Sequence, residues 1–305
     1  MGHTMNWIIL AIISAIALSA YAIVQKYAFQ RYSINVYVFG LLGGVVYLAI
    51  GSTILIINPL PEGWISTPVM AVLAAGGTSA IVNLMISNVV RREKEISRIV
   101  PVVDTNPMFV AVLAVFFLGE NLTPLKWLTI GMVLTGALIA SLHQSLPGSR
   151  VKIGRPFFIL LAASFGMGVI TILVKYALGH LETAHVYALF TSAGAPVYFG
   201  AVLLSRSWAE AKQTIRNRSA LSIAGIAISA QLIAIVTGMT ALALGPVSLA
   251  SAIMGTRPLI VLVYMTFVGF FLPRMLAEPS SRSSFMAKGT AAVLVTVGVG
   301  TMAFT

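Results

Sequence analysis

Two charged residues, Asp104 and Arg257, stand inside apolar stretches of the sequence that are long enough to cross a membrane. Arg257 lies nine residues into its stretch and Asp104 lies six residues past Arg98, or roughly 14 Å and 9 Å deep at 1.5 Å per residue. A hydrocarbon core is about 30 Å thick, so Arg257 is too deep to reach water easily by snorkelling. A charge at that depth marks a functional site or belongs to a structural ion pair.

Each of these charges lies at a short motif that contains a proline: Asp104 directly precedes Thr105-Asn106-Pro107, and Arg257 is the middle residue of Thr256-Arg257-Pro258. Proline removes a backbone donor and frees the carbonyl four residues earlier, so each motif predicts a kink in its helix. The kinks either shape a site or only adjust packing. We expect Asp104 and Arg257 to meet, either as a fixed pair or as a gate that substrate breaks. Asp104 could also carry a coupled proton.

Further polar residues lie within the apolar stretches. Lys26 and Lys175 either snorkel to the headgroups or line a cavity, and Gln25, Asn83 and Asn88 either join helices or form a polar interior. The sequence therefore predicts a substrate-binding set of ten residues and two helix kinks. The predicted substrate-binding residues are Arg257, Asp104, Asn106, Thr105, Thr256, Lys26, Lys175, Tyr21, Tyr187 and Gln231, and the kinks are at Pro107 and Pro258.

The composition places the chain in a membrane. Its 305 residues are 58% hydrophobic and 9% charged, and its mean hydropathy is +0.97, whereas soluble domains carry about 25% charged residues. Cysteine is absent, which excludes disulfides, thiolate nucleophiles and cysteine-ligated metals. We expect neither a metal nor a cofactor.

Ten apolar runs are long enough for transmembrane helices, which need roughly 20 residues each. The runs are 7–29, 35–57, 68–90, 99–118, 124–142, 156–178, 184–204, 220–242, 248–272 and 285–304. We therefore predict an all-α membrane protein. Residues 1–145 form the first five helices, residues 146–155 form a cytoplasmic linker, and residues 156–305 form the last five.

Three short matches relate the two halves. Gln25-Lys26-Tyr27-Ala28 matches Val174-Lys175-Tyr176-Ala177, Asn35-Val36-Tyr37 matches His185-Val186-Tyr187, and the two proline motifs match each other, with offsets of 149, 150 and 151 residues. Such a slow drift is typical of a diverged duplication. Five helices per half make the second half enter the membrane from the opposite side. The sequence thus predicts inverted repeats, an architecture of secondary transporters with a site at the midplane.

The loop charges predict the orientation. Fifteen Lys and Arg residues fall in odd-numbered loops, whereas Lys126 is the one basic residue in the even-numbered loops and termini. The positive-inside rule puts the odd loops in the cytoplasm and both termini outside. We expect a multi-pass protein of the cell (inner) membrane.

The stretch from residue 97 to residue 137 resembles a known family. Ser97-Arg98-Ile99-Val100-Pro101, Asn106-Pro107-Met108-Phe109, Phe117-Leu118-Gly119-Glu120-Asn121-Leu122-Thr123, Trp127-Leu128-Thr129-Ile130-Gly131 and Leu134-Thr135-Gly136-Ala137 are similar to the drug/metabolite transporter superfamily, EamA type. In the second half, Gly269-Phe270-Phe271 stands where Leu-Gly-Glu would be expected. The resemblance implies a transporter whose helices one to four face helices six to nine around a cavity, with helices five and ten at the periphery.

A secondary transporter is the function that the residues favour. The embedded charges Lys26, Lys175 and Arg257 against Asp104 are net positive, which favours an anionic or zwitterionic solute such as an amino acid or an organic phosphate, moved by alternating access. A flippase for a lipid or lipid-linked headgroup is the alternative. An enzyme would need paired acids, a nucleophile with its base or metal ligands, and none is visible. The expected partners are a small molecule and the bilayer, without nucleic acid, for a monomer or homodimer.

Overall fold

A computed structural model describes residues 2–60, 65–92, 103–142 and 155–261, together with residues 263, 264, 294 and 297. The described residues form helices joined by short turns. The helices are α1 (Gly2–Arg31), α2 (Val36–Ile57), α3 (Thr67–Arg92), α4 (Asn106–Leu118), α5 (Pro124–Leu142), α6 (Arg155–Leu178), α7 (Thr183–Ser205), α8 (Trp208–Arg216), α9 (Arg218–Leu244) and α10 (Val247–Met254).

Six of these helices are long and apolar enough to cross a membrane, namely α1, α2, α3, α6, α7 and α9. Two shorter apolar helical stretches, Asn106–Leu118 and Val247–Val261, accompany them. The all-helical membrane class is therefore confirmed. The predicted linker at residues 146–155 and the predicted tenth span at residues 285–304 lie almost wholly outside the described residues, so ten spans, the inverted repeat and the domain limits stay predictions.

The segment between α7 and α9 differs from the expectation of a plain loop, because it forms the nine-residue helix α8. The helix is short and charged, so it fails the length and hydropathy of a span. Its apolar residues Trp208, Ala211 and Ile215 nevertheless recur at helical spacing. Ala211 is buried, and the Trp208 ring lies 5.6 Å from the ring of Phe199 on α7. This spacing is present in the sequence and indicates a helix, but it does not indicate a membrane-spanning segment.

The helical structure is irregular at the two proline motifs. Residues 104–105 and residues 255–256 form turns directly before α4 and before the helical residues 257–261. Pro107 thus stands in the first turn of α4, where its missing N–H costs no hydrogen bond. An irregularity thus lies at each motif, and a change of helix direction at Pro107 and Pro258 stays a prediction.

The helices pack as a ring around an interior space. α1 packs along α9, α2 along α7, and α3 along both α6 and α7, while α4 and α10 touch each other and close the ring through α6 and α1. Small residues allow this close approach. At Gly76 on α3, a Cβ atom would overlap the carbonyl oxygen of Phe190 on α7, so glycine lets the two backbones meet there.

Large apolar side chains cover the outside of the bundle. Val45, Ile56, Phe116, Phe117 and Leu204 are all more than half exposed. Exposure on this scale would promote aggregation of a water-soluble protein, whereas hydrocarbon solvates such a surface. The exterior therefore fits a bilayer, and the polar groups of the spans lie inside.

Candidate functional site

A cavity of about 270 Å³ occupies the middle of the ring. α1, α3, α6 and α9 form its walls, and the turns before residues 106 and 257 form one side of it. Of the predicted binding residues, Tyr21, Asp104, Asn106, Gln231 and Arg257 line the cavity. Five residues separated in sequence by as many as 236 positions (Tyr21 to Arg257) are thus brought together.

The expected meeting of the two deep charges is present in the structure. Nη1 of Arg257 lies 3.3 Å from Oδ1 of Asp104, and the two side chains are 15% and 6% exposed. The pair uses only one edge of each group, since Oδ2 of Asp104 and Nε of Arg257 have no hydrogen-bond partner within the described residues. A buried ionised group without its full set of partners is costly. Both groups line the cavity and can therefore bind a ligand there.

Two more polar atoms of the cavity lack partners within the described part of the chain. They are Oδ1 of Asn106, one residue before Pro107, and Oγ of Ser251 on α10. Both residues line the cavity beside the ion pair. Buried polar atoms in native proteins are usually paired, so a cluster of such atoms at one place indicates a position for water or a ligand.

One wall of the cavity is polar. Nε2 of Gln25 donates to Oη of Tyr21 at 2.6 Å and to Oγ of Ser87 at 3.2 Å. Ser87 in turn donates to Oδ1 of Asn83 at 3.1 Å. This chain of bonds joins α1 to α3 and holds the four side chains in fixed positions. On α9, Gln231 accepts a hydrogen bond of 2.5 Å from the hydroxyl of Tyr47 on α2.

The wall formed by α6 is mostly apolar. Positions 18, 21, 22 and 25 of α1 line the cavity, and so do positions 167, 170, 171 and 174 of α6, with the same spacing and the same offset of 149 residues. On α1 these positions include Tyr21 and Gln25, whereas their counterparts on α6 are Ile170 and Val174. The lining is therefore two-sided at these matched positions, with polar side chains on α1 and apolar ones on α6, while Gln231, Ser251 and Arg257 add polar groups from the second half.

The other predicted site residues lie elsewhere. Thr105 bonds to Oγ of Ser164 at 2.9 Å, and Ser164 also donates to the carbonyl of Val103 at 3.1 Å, so this group fastens the broken helix to α6. Thr256 is buried and does not line the cavity. Lys26 is buried and has an interaction partner, and it does not line the cavity either.

Lys175 and Tyr187 have surroundings that differ from the prediction of a shared site. The Nζ atom of Lys175 donates to two backbone carbonyls at the end of α9. Tyr187 lines a second, more open groove of about 630 Å³ between α2, α7 and α9. Apart from Tyr187 and three threonines, Thr183, Thr237 and Thr240, that groove is lined by apolar residues, and it shares Met239 with the central cavity.

Sequence reasoning missed the serines of the cavity. Ser79, Asn83 and Ser87 recur every four residues along α3, which is the spacing of one helix face. That pattern was available in the sequence as a signal. Ser251 carried no such signal, because a serine in an apolar helix commonly bonds its own backbone.

Residues 5–142 match the family model described as EamA-like transporter family. The resemblance noted at residues 97–137 is thereby confirmed, since the first half of the chain is similar to a family of membrane transporters. The family is one of transporters and not of enzymes.

A solved crystal structure shares the fold of this EamA-like chain. It has 15% sequence identity and a TM-score of 0.68, and the likeness covers 96% of this chain and 94% of that one. At that identity the likeness extends to the fold alone. No curated protein sequence matches the chain.

Proposed function

We propose that this EamA-like chain is a secondary transporter that moves a small zwitterionic or anionic organic solute by alternating access, with an amino acid as the best-fitting class. The observation that carries the proposal is the half-used ion pair of Asp104 and Arg257 in the cavity. A free carboxylate oxygen accepts from an ammonium group, and a guanidinium N–H donates to a carboxylate. A zwitterion carries both an ammonium group and a carboxylate within one small molecule, so it can bind both residues.

The two-sided cavity supports the same class of solute. An ammonium and a carboxylate would bind at the ion pair, near Asn106 and Ser251, while an apolar side chain would contact Ile170, Val174 and the other apolar groups of α6 and α9. A volume of about 270 Å³ is small beside typical drug-sized pockets of about 300–1,000 Å³. The dimensions favour a metabolite over a large amphiphile.

The interrupted helices support alternating access. Broken helices at the midplane are the usual place for substrate and coupling ions in transporters built from repeats, because their ends leave backbone groups unpaired and give points of bending. Here both interruptions flank the ion pair. A solute that replaces the contact between Asp104 and Arg257 would change the forces across both turns at once.

A headgroup flippase would require a polar path to the bilayer. The groove between α2, α7 and α9 is more open than the central cavity, but its lining is apolar apart from Tyr187 and its threonines. This lining suits hydrocarbon and would desolvate a charged headgroup without compensation. The groove therefore does not favour the flippase, and a soluble solute is the function we propose.

The test is a thermal-unfolding screen of the purified protein in detergent against amino acids, organic phosphates, carboxylates and quaternary amines. A ligand at 100 times its dissociation constant stabilises the folded state by about 2.7 kcal/mol. We expect stabilisation by zwitterions or anions, lost in Arg257→Lys because the planar fork that binds a carboxylate is lost. Arg206→Lys, at an exposed position, is the matched control. Stabilisation by cations alone would contradict the proposal, and flux of any hit into liposomes would complete the test.

A further inference from the structure

The turn between α9 and α10 is held by two charged side chains that reach it from other helices. On one side, Nζ of Lys175 on α6 donates to the carbonyl oxygens of Leu242 at 2.6 Å and Gly245 at 2.9 Å. These carbonyls belong to the end of α9, which leaves its last acceptors unpaired. A cation is the favourable charge at a helix C-terminus.

On the other side, Glu120 in the turn between α4 and α5 binds the start of α10. Its carboxylate accepts from the backbone N–H of Val247 at 2.6 Å, from Oγ of Ser248 at 2.5 Å and from the N–H of Ser248 at 3.4 Å. A carboxylate is the favourable charge at a helix N-terminus. Glu120 and Lys175, here called the clamp, therefore bind the two ends of one turn with opposite charges.

The clamped turn closes one end of the central cavity. Val174 and Leu242 are cavity-lining residues, and Lys175 follows Val174 directly. Beyond them Trp7, near the start of α1, packs on the turn so closely that a Cβ atom on Gly245 would lie 2.6 Å from its ring. Trp7 is buried. The start of α1, the end of α6, the end of α9 and the Glu120 turn thus meet at the end of the bundle that holds the N-terminus.

We infer that the clamp is a gate, and that Glu120 or Lys175 must release the turn before the cavity can open toward the N-terminal end. This inference rests on the alternating access of the proposed function. It assigns both residues a role in positioning the turn, away from solute. Lys175 then acts on the backbone of α9 and not as the substrate-binding residue that its charge suggested.

The sequence places only half of such a clamp at the opposite end. Lys26 is the repeat counterpart of Lys175, but the residue at the position corresponding to Glu120 is Phe271, which has no carboxylate. The predicted repeat therefore does not reproduce the Glu120 half of the clamp in the sequence of the second half.

The test measures the width of the gate without any solute. The chain has no cysteine, so two introduced cysteines are the only residues that thiol-reactive spin labels will modify. His180→Cys, just after α6, and Leu244→Cys, at the end of α9, are both exposed and flank the clamped turn. When the clamp is intact, we expect pulsed electron paramagnetic resonance to give one short distance between the two spin labels.

Cutting the clamp should add a second, longer distance. We expect Lys175→Met and Glu120→Gln each to raise the open fraction about tenfold, or about 1.4 kcal/mol. Lys175→Arg keeps a donor for the carbonyls and should restore the short distance. Glu182→Gln is the matched control, because that carboxylate lies at the same end and its side chain is 72% exposed.

A single short distance between the two labels in both clamp variants would overturn the inference. The clamp would then only stabilise the fold and would not act as a gate. Glu120→Gln retains the size and one acceptor oxygen, so it provides a folded variant if Lys175→Met does not fold. Because no solute is present, a gate that opens in a chain that binds no zwitterion would refute the proposed function and leave the inference standing. If the chain binds zwitterions but the turn does not move in the clamp variants, the inference is refuted and the proposed function stands.

Discussion

The contact between Asp104 and Arg257 predicts strong energetic coupling between two residues that are 153 positions apart. Arg257→Ala leaves a carboxylate that is 6% exposed without its counter-charge. Removing one partner of a buried pair costs about 3–5 kcal/mol, because the remaining charge is left desolvated. Asp104→Ala leaves a guanidinium that is 15% exposed and lines the cavity, so we expect the lower end of that range.

Removing both charges should cost much less than the two single changes together. In Asp104→Ala/Arg257→Ala no buried charge is left unpaired, so the lost free energy is mainly that of the missing packing and bonds. The coupling free energy should then be about 2–3 kcal/mol, the upper part of the range for residues in direct contact. The double variant should then be about as stable as Arg257→Ala alone, to within about 1 kcal/mol.

A double-mutant cycle on the free energy of unfolding measures this coupling in mixed micelles. Asn58 and Glu182 provide the control cycle, since their side chains are joined by an exposed hydrogen bond of 3.0 Å and should couple by less than about 1 kcal/mol. Additivity within about 0.5 kcal/mol at Asp104 and Arg257 would refute the reasoning. It would mean that each charge is stabilised by groups other than its partner.

Three further outcomes follow from the packing. Gly76→Ala should destabilise the fold by about 1–3 kcal/mol because the added methyl group would overlap Phe190. Gly225→Ala meets open space and should stabilise the fold by up to about 1 kcal/mol. Equal effects of the two changes on the free energy of unfolding would contradict the close contact between α3 and α7 at Gly76. Ser164→Ala should cost about 1–3 kcal/mol, because it removes a buried donor to the carbonyl of Val103; an unchanged unfolding midpoint would rule that bond out as a support. Tyr47→Phe should cost about 1 kcal/mol through the lost bond to Gln231, with no change if the hydroxyl is bonded to water instead.

The class of the fold can be predicted from the sequence because the length of an apolar run is read directly along the chain. A membrane requires about 20 apolar residues in a row whatever the neighbouring helices do. The predicted runs at residues 35–57 and 156–178 accordingly agree with α2 and α6 to within a residue. The helix α8 escaped the same reasoning, since it lies outside any long apolar run and depends on helical periodicity alone.

The candidate site was predictable where burial of a charge is costly in any arrangement. Asp104 and Arg257 have few other ways to be satisfied in hydrocarbon, so their pairing could be expected from type and depth. Lys175 has such another way, because backbone carbonyls at a helix end accept as well as a ligand does. Which of these groups a lysine reaches depends on the position of α9 relative to α6, and no local sequence pattern fixes that position.

The breaks in the two helices act differently on the two charges. Asp104 stands just before the first residues of α4, where free N–H groups create a positive end that favours a carboxylate. Arg257 is the first helical residue after the turn at residues 255–256, so the end of α10 and the start of the next helical segment act on it in opposite senses. Arg257 therefore depends mainly on Asp104 as its counter-charge. The turns, the prolines and the two charges consequently form one unit.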